Sequence, residues 1–270
     1  MALPARSETR IQSTAPRLFV ILAAAGAAFF ILPLLGLLVR LPWGAAWGEL
    51  KSPQVLDALR LSLLASLSAT VIALIFGVPL AWCFARLTFP GRSVLRAITV
   101  LPMVLPPVVG GVALLLAFGR RGILGGWLAT TFGIHLPFTT AGAIIAETFV
   151  AMPFLVITVE AGLRSMNTRF EDAARTLGAS RWTVLWRVTL PLVRPSLVAG
   201  AVLCWARALG EFGATISFAG NFPGRTQTMP LAVYLALETN PDAAIVLSLL
   251  LLAVSLAVLI GLRDRWLGVS

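Results

Sequence analysis

Six stretches of this sequence are each long and apolar enough to cross a lipid bilayer: about 18–39, 56–85, 97–117, 139–163, 195–219 and 243–262. A helix rises about 1.5 Å per residue, so roughly 20 apolar residues span the hydrocarbon core. None of the six alternates like a strand of a membrane β-barrel. The expectation is an all-α, polytopic membrane bundle of six transmembrane helices. Composition excludes the other broad classes: 59% of residues are hydrophobic and 12% charged, with a mean hydropathy of +0.94. Soluble domains carry about 25% charge. The first stretch follows Arg6, Arg10 and Arg17, like a signal peptide. Its apolar run of about 22 residues exceeds the signal-peptide length, so it is expected as a retained helix.

Arginine placement sets the expected topology. With the N-terminus inside, the cytoplasmic side holds Arg6, Arg10, Arg17, Arg86, Arg92, Arg96, Arg164, Arg169, Arg175, Arg181, Arg187, Arg194, Arg263 and Arg265. The other side holds Arg40, Lys51, Arg60, Arg120, Arg121 and Arg225. This bias places both termini in the cytoplasm. It also accounts for the net charge of +10 without a nucleic-acid partner. Cys83 and Cys204 lie inside apolar runs and read as buried thiols. The single histidine, His135, excludes Cys/His zinc chemistry, and no metal site is expected.

The connection between the fourth and fifth stretches, residues 164–194, is the most patterned polar segment. Thr168 followed by Glu171 has the spacing of a capping box. Ala173, Ala174 and Leu177 suit a short helix, and Gly178 suits its C-terminal stop. So short a helix is marginal alone, so something is expected to pack on it. The Ala pair leaves a low face for close approach by another protein. Ser180 can cap a second helix carrying Trp182, Leu185, Trp186 and Val188, and Pro191 and Pro195 lead into the fifth stretch.

Asp172-Ala173-Ala174, three residues, Gly178, nine residues, then Val188-Thr189-Leu190-Pro191 resembles the loop of permease subunits of binding-protein-dependent ABC importers. That loop reads Glu-Ala-Ala, three residues, Gly, nine residues, then Ile-x-Leu-Pro. Asp172 replaces Glu and Val188 replaces Ile. The resemblance implies the type I ABC importer permease fold, and a coupling loop in which Glu171, Asp172, Ala173, Ala174, Gly178, Leu190 and Pro191 meet an ATPase subunit. It further implies two ATPase copies and a second copy of this chain. A P-loop needs Gly-x4-Gly-Lys-Ser/Thr. The only lysine stands in Glu49-Leu50-Lys51-Ser52, so the chain is not expected to be an enzyme or to hold a cofactor; ATP–Mg would bind the partner. The expected layout is a cytoplasmic tail (1–17), a first helix with its outer loop (18–55), an importer transmembrane domain (56–262) and a cytoplasmic tail (263–270).

Arg207 and Glu211 stand i,i+4 inside the fifth stretch, where an ionisable residue is either functional or neutralised by its neighbour. Both readings stand at this point. The run 206–215, Ala-Arg-Ala-Leu-Gly-Glu-Phe-Gly-Ala-Thr, resembles that of sulfate and molybdate importer permeases. Phe212 and the run 223–230, Pro-Gly-Arg-Thr-Gln-Thr-Met-Pro, look more like the molybdate branch. So do residues 101–111 and the Gly119-Arg120-Arg121-Gly122 loop. The resemblance implies molybdate import in a bacterial inner membrane, with a periplasmic or extracellular molybdate-binding protein as partner. Tungstate is not separable, and sulfate or thiosulfate is the rival cargo. An ion channel or intramembrane enzyme would have no reason to carry the 168–191 spacing.

A tetrahedral dianion in a low dielectric needs donors or positive charge. Arg207, Glu211, Thr215, Ser62 and Ser66, with Ser68, Thr70 and Ser217, are the candidate pathway groups. Arg120, Arg121 and Arg225 would attract the anion or contact the binding protein. Pro102, Pro106, Pro107, Gly110 and Gly111 read as a gate hinge or a static bend. Glu147 is an intramembrane acid without an evident sequence partner.

Overall fold

The computed structural model describes residues 17–266. The expected N-terminal tail, apart from Arg17, and the last four residues of the C-terminal tail lie outside them. Among the described residues there are helices and no strands. The chain divides after Leu41.

The first unit holds α1 (Arg17–Val39), 23 residues with no charge beyond Arg17. Such a helix, apolar all round, suits lipid or other apolar helices.

The second unit begins with α2 (Trp43–Leu50) and α3 (Pro53–Arg86). The Ser52 hydroxyl accepts the Val55 N–H at 3.4 Å, and Pro53 occupies the first turn, so α3 starts where its sequence dictates. Ala65, Ala69, Ala73, Gly77 and Ala81 recur every fourth residue and are buried. That stripe of small side chains lets α7 (Thr140–Ser165) pack closely against α3. The main core adds α11 (Arg194–Leu209): Phe84, Leu155, Val159, Leu163 and Cys204 meet there.

The third stretch is not one straight crossing. α4 (Arg92–Val100), a 3₁₀ turn (Leu101–Met103) and α5 (Pro107–Phe118) form a pair bent by 119°. Pro106 is extended (φ −54°, ψ 129°), as the residue before a proline prefers, and Pro107 opens the new helix. α6 (Gly125–Phe132) follows, then α7, α8 (Arg169–Thr176), α9 (Arg181–Val184) and α10 (Leu190–Leu192). The segment from Arg181 to Leu192 is bent by 70° from α11. The fifth stretch also breaks: α11 stops at Leu209 and α12 (Gly213–Ala219) resumes after Gly210–Phe212. An 11-residue apolar helix, α13 (Met229–Thr239), was not expected from the sequence; α14 (Pro241–Trp266) completes the fold.

Among the described residues four helices, α1, α3, α7 and α14, are long and apolar enough to cross a bilayer unbroken, and with each bent pair taken as one span the candidate crossings number up to six. α5, α7 and α12 share a second core of Leu114, Ala146, Val150, Ala214 and Phe218. α3, α13 and α14 share a third.

Candidate functional site

The residues after α7 build a helical hairpin outside the apolar bundle. Asn167 Oδ1 accepts the Arg169 N–H at 3.0 Å and turns the chain into α8. Glu171 and Asp172 lie in the first turn and Arg175 in the last, as the helix dipole favours. The α8 stop is a Schellman motif: Gly178 N–H donates to Arg175 O at 2.9 Å, and Ala179 N–H to Ala174 O at 3.0 Å. Gly178 has φ +84°, a left-handed conformation that an L side chain resists. The Ser180 hydroxyl then caps α9 by accepting the Thr183 N–H at 3.2 Å.

The capping box expected between Thr168 and Glu171 does not form. Thr168 is itself helical (φ −65°, ψ −16°) and makes no side-chain cap. Glu171 turns inward and is 4% exposed. Its Oε1 accepts the Thr189 hydroxyl at 2.7 Å and an Arg86 N–H at 3.3 Å. A buried carboxylate gains more from a guanidinium and a hydroxyl than from one backbone amide. Glu171, grouped from sequence with the docking residues, is turned into the fold and ties α8 to the end of α3.

The Thr189 hydroxyl is supplied by a π-helical turn, Leu185–Thr189. Leu190 N–H reaches back five residues to Leu185 O, and Pro191, the next residue, has no N–H to donate. Leu190 is half-buried and Pro191 exposed.

The outer face of α8 carries Phe170, Ala173 and Leu177, at helical spacing, with Asp172 beside them. All are exposed, Leu177 at 89%. Ala173 is the low point between two apolar knobs, and Ala174 is half-buried behind it. Asp172 pairs with Arg175 at 3.4 Å. Exposed apolar side chains gathered on one face of a helix outside the bundle make this a candidate protein-docking surface. Phe170 escaped the sequence reading and Leu177 was read there only as a helix position, although their spacing from Ala173 was the available signal.

The base of this hairpin is braced by charge. Glu160 of α7, buried, takes Arg96 of α4 at 2.9 Å and Arg164 at 2.7 Å. Arg92 and Arg164 donate to the Phe84 carbonyl, among the last carbonyls of α3 that have no helical donor.

Inside the bundle, Arg207 and Glu211 form an ion pair at 2.6 Å. Glu211 Oε1 also accepts the Ala214 N–H at 2.8 Å, so this carboxylate spans the break and starts α12. Glu211 is buried, whereas the Arg207 side chain is 28% exposed. Ser62 and Ser66 are buried; Ser62 Oγ accepts the Met229 N–H at 2.7 Å, joining α3 to α13, and Ser66 donates to Leu63 O at 3.4 Å. Thr215 is fully buried, and its hydroxyl has no partner among the described residues. Glu147 is also buried, with Oε2 unpartnered among them.

Of the bend residues, Pro102 is buried and Pro106 and Pro107 form the corner. Gly110 and Gly111 lie one turn into α5 and serve close approach. A Cβ on Gly111 would stand 2.5 Å from Ser217 Cβ and 2.9 Å from Ala214 O of α12. A Cβ on Gly213 would meet Pro107 at 2.8 Å. At the N-terminal end of α7, Arg120 and Arg225 line one cleft with His135; Arg121 is exposed and does not line it.

Up to six candidate crossings along the chain, with a braced helical hairpin after α7, are the layout of a transport permease of the ABC importer kind. The chain belongs to the family of binding-protein-dependent transport system inner membrane components, whose profile matches residues 73–269. It is a multi-pass inner-membrane protein. It is 46% identical to the molybdenum transport system permease protein ModB of Mycobacterium tuberculosis over 93% of this chain and 94% of that one. The ModB of Escherichia coli is 42% identical, covering 78% and 93%. The sulfate transport system permease protein CysT of Escherichia coli is 38% identical, covering 86% and 85%. Among solved structures, a bacterial ABC transporter that imports the acidic polysaccharide alginate matches with a TM-score of 0.72 at 19% identity, covering 94% and 96%. The MetNI methionine transporter matches at 0.58 and 21%, covering 88% and 98%.

Proposed function

We propose that this chain is the permease subunit of an importer for molybdate, and for tungstate by the same chemistry, driven by a separate ATPase. The observation that carries the reading is the face Phe170–Ala173–Leu177, held outward by the buried Glu171. It supplies a docking surface on a chain without a P-loop. Greater identity to ModB than to CysT favours molybdate over sulfate.

In this reading two copies of the chain enclose the path and two ATPase subunits seat on the two α8 helices. Both termini and α8 face the cytoplasm. A binding protein delivers the oxyanion at the opposite face. ATP closes the ATPase pair, and α8 transmits that movement to α3 through Glu171 and Arg86, while Glu160 holds α4 to α7. The bundle alternates between outward and inward access, with the α4–α5 corner as the gate. A coupling element has to favour different global states when loaded and unloaded. Arg207, the partly exposed member of its ion pair, is the pathway cation.

The test is ATP hydrolysis by the complex reconstituted in lipid with its binding protein. Molybdate stimulates it and sulfate does not; the reverse preference replaces this reading with a sulfate importer. Ala173→Glu fills the low point of the docking face with a charge. It is expected to abolish co-purification of the ATPase while leaving membrane insertion intact.

A further inference from the structure

Three connections far apart in sequence converge at the N-terminal end of α7. Arg120 comes from the α5–α6 connection, His135 from α6–α7 and Arg225 from α12–α13, and together they line a cleft of about 540 Å³. No acidic residue lines it, and neither arginine has an ion-pair partner among the described residues. Thr139, the N-cap of α7, is part of the wall, so the positive end of a 26-residue helix lies at the cleft.

The cleft is also held in shape. The Thr140 hydroxyl donates to the Arg225 carbonyl at 2.8 Å and pins that connection to the start of α7. Phe138, in the wall, has φ +61°, a strained conformation for a phenylalanine. It is kept there by its N–H to Phe218 O at 3.3 Å and by its ring against Phe222 at 6.3 Å between centroids. Backbone strain of this kind persists only where the surroundings over-determine it, and it concentrates at ligand sites.

We propose that this cleft is a transient oxyanion site on the outer face, where a tetrahedral dianion rests between Arg120 and Arg225. His135 supplies a further N–H donor, and the site passes its anion inward. The proposal rests on the import reading for the identity of the anion and the side it comes from. Two guanidiniums sharing a wall without a carboxylate repel each other, and a dianion relieves that repulsion. Exposure of all three side chains to water keeps the binding weak, as a site that must release its cargo requires.

His135 is the only histidine in the chain, so its modification by diethyl pyrocarbonate, read by peptide mass spectrometry, reports on this cleft alone. The probe is applied to the permease–ATPase complex in lipid, without binding protein and at fixed ionic strength. Molybdate is expected to slow the modification severalfold, and chloride to leave it unchanged. Arg120→Gln combined with Arg225→Gln is expected to remove the protection, and Arg121→Gln, outside the cleft, to keep it. Absence of protection by molybdate, tungstate and sulfate alike overturns the site, as does protection that survives the double substitution. Protection by sulfate but not molybdate keeps the site and overturns the cargo reading. Protection only when the binding protein is added assigns the cleft to protein docking and overturns it as an anion site. Should the double variant misfold, the contrast between oxyanions and chloride on the unaltered complex still decides.

Discussion

Glu171 and Glu211 are two buried acids that do the same work in different parts of the fold, one at the α8 hairpin and one inside the bundle. Each takes a guanidinium with one oxygen or shares one oxygen between partners, and each joins elements that would otherwise separate. Glu171 joins α8 to α3 and to the π-helical turn. Glu211 joins α11 to the first turn of α12. Removing one member of a buried ion pair leaves the other charged and unpaired, typically at about 3–5 kcal/mol. Glu171→Ala is therefore expected to loosen α8, read as faster tryptic cleavage at Arg169 and Arg175 in an otherwise intact bundle. Glu171→Gln, which keeps an acceptor for Thr189, is expected to fall between. The sequence placed both acids correctly in its patterns but assigned Glu171 the wrong partner. Capping boxes are local and can be read at a spacing of three residues, whereas Arg86 is 85 residues away. The Arg207–Glu211 pair was legible for the converse reason, being only four residues apart.

Among the elements, the corner between α4 and α5 shows what proline and glycine contribute separately. The prolines break the helix; the glycines bring α5 against α12. Gly111→Leu would drive a side chain into Ser217 and the Ala214 carbonyl. Overpacking of this kind costs about 1–3 kcal/mol. The expected outcome is a lower midpoint of thermal unfolding, with α8 still able to retain the ATPase. Apolar length identified the third and fifth stretches; a bend was read from sequence only in the third, from its prolines and glycines. Hydropathy sums over a window and is blind to a bend inside it. The proline cluster was the visible sign for the first break. The second, at Gly210–Phe212, depends on Glu211 bonding forward to Ala214, a contact no window average carries. α13 escaped because 11 residues fall short of a crossing; its place is set by packing on α3 and α14.

For the molecule as a whole, sidedness is the property on which the functional reading depends. Tryptic sites at Arg169 and Arg175 are expected to be cut in inside-out membrane vesicles and protected in right-side-out ones. Cleavage with the opposite polarity would place α8 away from any cytoplasmic ATPase. The count of crossings, the bias of arginines and the Asp172–Pro191 spacing were all legible because each is a property of the chain itself. The convergence of Arg120, His135 and Arg225 was not, since it arises only when three connections are folded onto one end of α7.

α3 runs for 34 residues, about 50 Å, well beyond the roughly 30 Å of hydrocarbon it crosses. Arg86 at its far end grips Glu171 of α8, while Ser62, about 36 Å back along the axis, grips the amide of Met229. One continuous helix thus carries two grips, one at its C-terminal end and one about three turns in from its start. If the proposed ATPase tilts α8, a rigid α3 carries that tilt from Arg86 to Ser62 in the same stroke, and on the import reading the two mouths of the bundle are then coupled.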